Sequence, residues 1–408
     1  MLTITDIANH FIGRTLDIRV DHNGRWVDQK CTIDVITTVA DCIVEYSNSN
    51  QTNDFTVSDI WKSDYATNLI PNIFNKPHPS DADAKNEYDK FFGQPIKLLE
   101  YSGVLIEVRQ GRGYQYSINN RPLLEHIAVR ERNTIDFLNI YFNKVLSDSN
   151  WIVPFNNFLN HPTHQNYALL RDSFFDNTQQ YTPINGDLEC GRIFTKVLNL
   201  LAFVNRTNGS ENGRMSPHPI TLDKLMYNRD NFRDIYNNKP RNMTRDEFER
   251  IHNLRPNGNF STYQSTRAKK YLRRFNDQYF NQRSEVHQQD WKISVANHAH
   301  HIFMQSEYTE IAHYYENLIM LTPSQHLNHA HPNNNTHRVD RDYQHVCILA
   351  KIDTIAHNLT DADQPDIYEF SKMLYVLDVG LDTDEFRQIA DGDYQHLIHA
   401  VNMAYADI

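Results

Sequence analysis

Cysteine is scarce and scattered: Cys31, Cys42, Cys190 and Cys347 lie far apart and form no C-x-x-C pair. That spacing excludes a zinc knuckle and a disulfide framework and leaves four free thiols for the interior. Apolar runs are short as well. None approaches the roughly 18 to 20 residues needed to cross a bilayer, so neither a membrane span nor a membrane partner is expected. The opening Met1-Leu2-Thr3-Ile4-Thr5-Asp6 has no basic stretch and no small-residue cleavage site, and the expectation is a cytoplasmic chain. Internal repeats and long low-complexity tracts are missing too. A single core is excluded by length, because 408 residues exceed what one hydrophobic core organises; two to four domains are expected.

The formal net charge of −11 argues at first against a polyanionic partner, whose binding depends on Lys and Arg. The distribution changes that conclusion. Between Lys239 and Arg283 there are eleven basic residues against four acidic ones, whereas from Asp340 to Ile408 there are fourteen acidic and four basic. The two segments carry opposite fields, so one face can hold DNA while another repels it.

Local patterns place the elements. Ile33, Val35, Ile36, Val39 and Ile43 recur near a 3.6-residue period, predicting a helix over Lys30 to Tyr46. Lys85 to Phe92 and Pro95 to Ser102 predict two short helices around Gly93, the second closed by Gly103. Leu105 to Arg109 and Tyr114 to Ile118 alternate as hairpin strands about the turn Gly111-Arg112-Gly113. Helix, turn, helix and hairpin over about sixty residues resemble a winged-helix module, which makes Arg112 at the hairpin tip a candidate DNA contact. Pro122 to Leu146 is again helical, and a Gly-, Ser- and Asn-rich loop is expected over Asn205 to Arg214. In the basic segment, a helix through Thr266 to Phe275 sets Lys270, Arg273 and Arg274 on one side and Tyr271, Leu272 and Phe275 partly opposite. Arg267, Lys269, Lys270, Arg273 and Arg274 are therefore candidate phosphate contacts.

The chemistry concentrates between Trp291 and Pro332. Ile293 and Val295 alternate with polar residues and lead a strand up to His300-His301. After about a dozen loop residues, Leu318-Ile319-Met320-Leu321 forms a second, buried strand directly behind Asn317. Thr322-Pro323-Ser324-Gln325 then supplies an N-cap, a proline at the first helical position and a capping-box Gln, while Pro332 ends the helix after about two turns.

Strand, loop, strand and short helix carrying a His pair, an Asn and a His resemble the HNH nuclease superfamily, a match over about forty residues. The resemblance implies a ββα-metal fold, a metal ligand at His300, a general base at His301, an orienting amide at Asn317 and a second ligand at His326. The residue types suit phosphodiester hydrolysis. A neutral imidazole can take a proton from water near pH 7. An amide can orient it without adding charge. One divalent cation, Mg²⁺ or Mn²⁺, supplies Lewis acidity at the phosphate.

The sequence departs from the family in two respects. It lacks the paired Cys-x-x-Cys knuckles that staple many members, so neighbouring helices must stabilise the motif. The position four residues after His326 is Ala330, which leaves His329 as the candidate third ligand. His298, His313, His331 and His337 are expected to be solvated or to support the ligands from behind.

The expected fold class is α+β, a mostly helical multidomain chain with an N-terminal winged-helix-like region. Its expected divisions are a recognition domain over 1–148, a middle helical region over 149–285, the nuclease motif over 286–337 and an acidic helical region over 338–408. The implied activity is a restriction-type endonuclease acting on double-stranded DNA as a homodimer. A DNA-binding regulator that keeps a metal site without cutting, and a homing or mobile-element nuclease, are the alternatives.

Overall fold

The computed structural model describes residues 2–74, 76–81, 84–110, 113–227, 243, 258–287, 295–330 and 339–406. The chain is mostly helical with small antiparallel sheets, an α+β protein. It divides into two compact units, Leu2–Pro256 and Asn257–Ile408. The middle region expected over 149–285 is therefore shared between them.

The first unit is built around α3 (Ile33–Asn50), which follows α1 (Ile4–His10) and α2 (Ile18–Asp21). Ile33, Val35, Ile36, Val39, Ala40, Ile43 and Val44 of α3 are buried, so nearly its whole circumference is core. Strand β1 (Asp54–Phe55), α4 (Val57–Trp61) and α5 (Asp64–Phe74) lead to α6 (Lys85–Tyr101). Here a continuous helix replaces the two short ones expected. An interior proline costs about 3 kcal/mol and a glycine about 1. Burial of Tyr88, Phe91, Phe92, Ile96, Leu98 and Leu99 outweighs this, at roughly 1.5 to 3 kcal/mol for each large side chain. Gly103, at φ 79°, ends the helix as expected.

The hairpin β2 (Leu105–Gln110) and β3 (Gly113–Ile118) pairs Leu105 with Ile118 and Glu107 with Tyr116. Strand β1 adds to β3, giving the sheet order β1-β3-β2. Helices α7 (Arg121–Val129), α8 (Glu131–Asp148), α9 (Ile152–Asn160), α10 (His164–Tyr181) and α11 (Asp187–Val204) complete the helical body. The expected loop over Asn205 to Arg214 is largely a second hairpin, β4 (Asn208–Glu211) and β5 (Arg214–Pro219). Its turn is Asn212-Gly213, both at positive φ, the pair that hairpin twist favours.

In the second unit, α12 (Gly258–Tyr279) packs against both strands of a two-stranded sheet, β6 (His298–His301) and β7 (Leu318–Leu321). A π-helical turn over Gln325–Ala330 follows, and α13 (Arg341–Thr360), α14 (Phe370–Leu381) and α15 (Tyr394–Ala406) surround them. All four β7 residues are fully buried. Glu285 satisfies the edge of that sheet with backbone and side chain together: its N–H donates to the Met320 carbonyl at 3.0 Å, and its Oε1 accepts from the Met320 N–H at 2.7 Å. Behind it Lys351, fully buried, pairs with Glu285 Oε2 at 2.5 Å and donates to the Tyr368 hydroxyl at 3.2 Å. This ion pair holds the sheet from behind.

Candidate functional site

Strand periodicity sorts the histidines. Antiparallel pairing opposes His298 to Leu321, His300 to Ile319 and His301 to Leu318. Alternation sends His298 and His300 to one face of the strand and His301 to the other. On the first face the π-helical turn delivers His326. Its ring centroid lies 5.2 Å from that of His300 and 4.9 Å from that of His298. The expected capping box starts this turn: the Gln325 N–H donates to Thr322 Oγ1 at 3.2 Å, and the Thr322 N–H donates to Gln325 Oε1 at 3.0 Å.

His329 does not join the cluster. It is exposed, and its ring packs at 5.5 Å from that of Tyr343. The cause is the turn itself. A π-helix bonds i to i+5 and winds more residues into each turn, so the i+3 position leaves the face of His326. Among the described residues, no group of three or more His, Cys, Asp or Glu side chains is placed to hold a metal ion. His300 and His326 face each other on this side of the strand, with the His298 ring beside His326. Two imidazoles do not make a closed structural site, and a divalent cation held there would need further ligands to complete its shell.

His301 is 9% exposed, and its Nε2 lies 2.9 Å from the Ala312 carbonyl oxygen and 3.1 Å from Ser265 Oγ on α12. A carbonyl only accepts, so Nε2 carries the proton and the neutral ring presents Nδ1 as its lone-pair nitrogen. Burial and the neighbouring Lys269 charge hold the imidazole down to about 4, against the pull of the Ala312 carbonyl. At neutral pH the ring is uncharged.

Asn317 is fully buried, and among the described residues its side chain makes no hydrogen bond to an imidazole. Its Oδ1 accepts from the Phe303 N–H at 2.8 Å, and its Nδ2 donates to the carbonyls of Phe303 at 3.0 Å and Ile311 at 3.2 Å. The expected orienting role is corrected in its route. Asn317 staples the two ends of the loop after β6, and the loop sets the Ala312 carbonyl against His301.

The basic residues on α12 separate by environment. Lys270 and Arg273 are exposed, while Lys269 and Arg274 are half-buried. Arg267 fails the expectation of a surface contact: it is 8% exposed, with its guanidinium 5.1 Å from the Tyr263 ring centre. Its position in the helix faces inward beside Ala268 and Tyr271, which an alternation of charged letters does not reveal. Arg112, the lead-in strand residue Ile293, Pro332, His331, His337 and the basic residues from Lys239 to Arg255 lie outside the described residues. Ser265 is the contact that sequence reasoning missed. Its only signal was a small polar residue at the start of an otherwise basic run.

No family model, no curated protein and no solved structure matches this chain.

Proposed function

We propose that the chain is a metal-dependent DNA endonuclease of restriction type, with its active site at the end of β6. The observation that carries this reading is the division of work across that strand. His300 meets His326 on one side, and on the other the Ala312 carbonyl holds His301 in the tautomer whose lone pair is on Nδ1.

A phosphodiester at the strand end is flanked by both. In the reaction, His301 Nδ1 takes a proton from the attacking water as the water oxygen bonds to phosphorus. The ester bond to the leaving oxygen breaks, and that oxygen is protonated by solvent. A divalent cation held by His300 and His326 supplies Lewis acidity when bound. Asn317 and Ser265 are positioning residues, fixing the loop and the ring.

Recognition falls to the first unit. The order α3, β1, α4, α5, α6, β2, β3 and the sheet order β1-β3-β2 support a winged-helix reading, with α6 as the helix presented to DNA. Cutting both strands of a palindromic site with one such centre per chain calls for a homodimer.

The test is cleavage of long DNA of mixed sequence with Mg²⁺, Mn²⁺ or EDTA. Discrete fragments are expected with either metal and none with EDTA. Because both protein ligands are imidazoles, Mn²⁺ is expected to support cutting at least as well as Mg²⁺. His300→Ala and His326→Ala should each lose metal binding and activity together. Full-rate cutting in EDTA contradicts the metal site, and tight DNA binding without cutting under any metal favours the regulator.

A further inference from the structure

Ser265, Lys269 and Arg273 follow one another on α12 at four-residue intervals and so share a face. Ser265 fixes where that face points, because its Oγ lies 3.1 Å from His301 Nε2. One turn further on along the same face stands Lys269. It is half-buried, and burial together with the Arg273 guanidinium pushes its ammonium below the usual lysine range. Among the described residues no carboxylate pairs with it and no hydrogen bond is made to it. Its neighbours on the helix are differently disposed, Lys270 in solvent and Arg267 buried over Tyr263.

Placing a cation out of water without a counter-charge is unfavourable, and proteins do so where a ligand supplies the missing anion. The anion that belongs beside a water-activating imidazole is the phosphate under attack. We propose that Lys269 is a catalytic residue, its ammonium taking a non-bridging oxygen of the scissile phosphodiester while His301 takes the proton of the attacking water. The assignment rests on the nuclease reading and extends it to a side chain some thirty residues before the histidine pair. As the bond from water oxygen to phosphorus forms and the ester bond breaks, negative charge grows on the non-bridging oxygens. A cation already partly desolvated stabilises that charge at less cost than one fully hydrated. Lys269 thereby differs in kind from Lys270 and Arg273, whose exposed charges act on the DNA backbone at large.

The experiment compares full-length wild type with Lys269→Gln, Lys269→Met and Lys269→Arg. Single-turnover cleavage is read at saturating protein with Mn²⁺, and DNA affinity is measured with Ca²⁺ in its place. Lys269→Gln and Lys269→Met should each cut about 10² to 10³-fold more slowly, the loss seen when one preorganised transition-state donor is removed. Their DNA affinity should stay within about threefold of wild type, and Lys269→Arg should recover part of the rate.

Three outcomes overturn the assignment. Gln and Met variants that cut within about threefold of wild type leave Lys269 without a catalytic part. A rate that falls only in proportion to affinity makes it one more backbone contact. Loss of the folded state in both variants, seen by thermal melting, makes it structural. Wild type that cuts no DNA with either metal overturns the nuclease reading itself, a result separable from all three.

Discussion

The amide of Asn317 spends its oxygen and both its N–H groups on the backbone of Phe303 and Ile311. Removing it takes the partner from the Phe303 N–H and the Phe303 carbonyl, while the Ile311 carbonyl keeps the Tyr314 N–H at 3.1 Å; each buried group left unpaired costs about 1 to 3 kcal/mol. Asn317→Ala should therefore lower stability by roughly 2 to 4 kcal/mol in urea unfolding, with cleavage falling as the Ala312 carbonyl loses its place. An unchanged midpoint would show that the loop is held by other contacts. At this scale the sequence revealed residue types and spacing but not routes. The nearness of His300 and His326 was legible from their places at a strand end and in the turn that follows the second strand. The indirect action of Asn317 was not, since an amide beside a histidine in sequence can face either ring or backbone. His329 was misplaced for the same reason: its assignment assumed an α-helical angle, and hydrogen bonding to i+5 cannot be read from residue letters.

Among the elements, α14 shows how close packing fixes the site. Gly380 lies against the Phe303 ring, where an added Cβ would sit 2.5 Å from three ring atoms. Phe303 cannot simply withdraw, because Asn317 holds its backbone. Gly380→Ala should cost about 1 to 3 kcal/mol through overpacking, despite the better helix propensity of alanine. A variant that melts at higher temperature would contradict this packing. Elements with strong local signals were predictable: α3, the β2–β3 hairpin, β7 and the capping box that begins the π-helical turn. The unity of α6 was not, because Gly93 and Pro95 are local helix breakers and their cost is offset only by tertiary burial. The β4–β5 hairpin escaped through its composition, although Asn212-Gly213 carries a turn signal of its own. Strand β1 is two residues long, too short for any alternation to register.

Across the whole molecule, the response to acid follows from histidines buried without charge. In the first unit, His126 is 9% exposed, and neither ring nitrogen has a hydrogen-bond partner among the described residues. Burial, aided by the Arg130 charge, pushes it down to about 3. Its folded value lies below the unfolded value of about 6.5, so above that pH both states are neutral and no penalty arises. As pH falls below 6.5 the unfolded chain takes up a proton that the folded chain refuses, and stability drops until about pH 3. His126→Leu should therefore flatten the pH dependence of thermal unfolding, gaining up to about 2 kcal/mol relative to wild type between pH 6.5 and 5, at about 1.4 kcal/mol per unit. A parallel decline in both proteins would show that other groups set the acid limit. The charge asymmetry of the chain was visible from counting, whereas its division into two units depends on which helices pack together and was not. The measurement that bears most directly on the account is the single-turnover cleavage rate of His301→Ala on long mixed-sequence DNA with Mn²⁺, taken beside its DNA affinity. The base assignment predicts a loss of about 10² to 10⁴-fold in rate with affinity within a few-fold of wild type; a variant keeping more than about a tenth of the rate would contradict it.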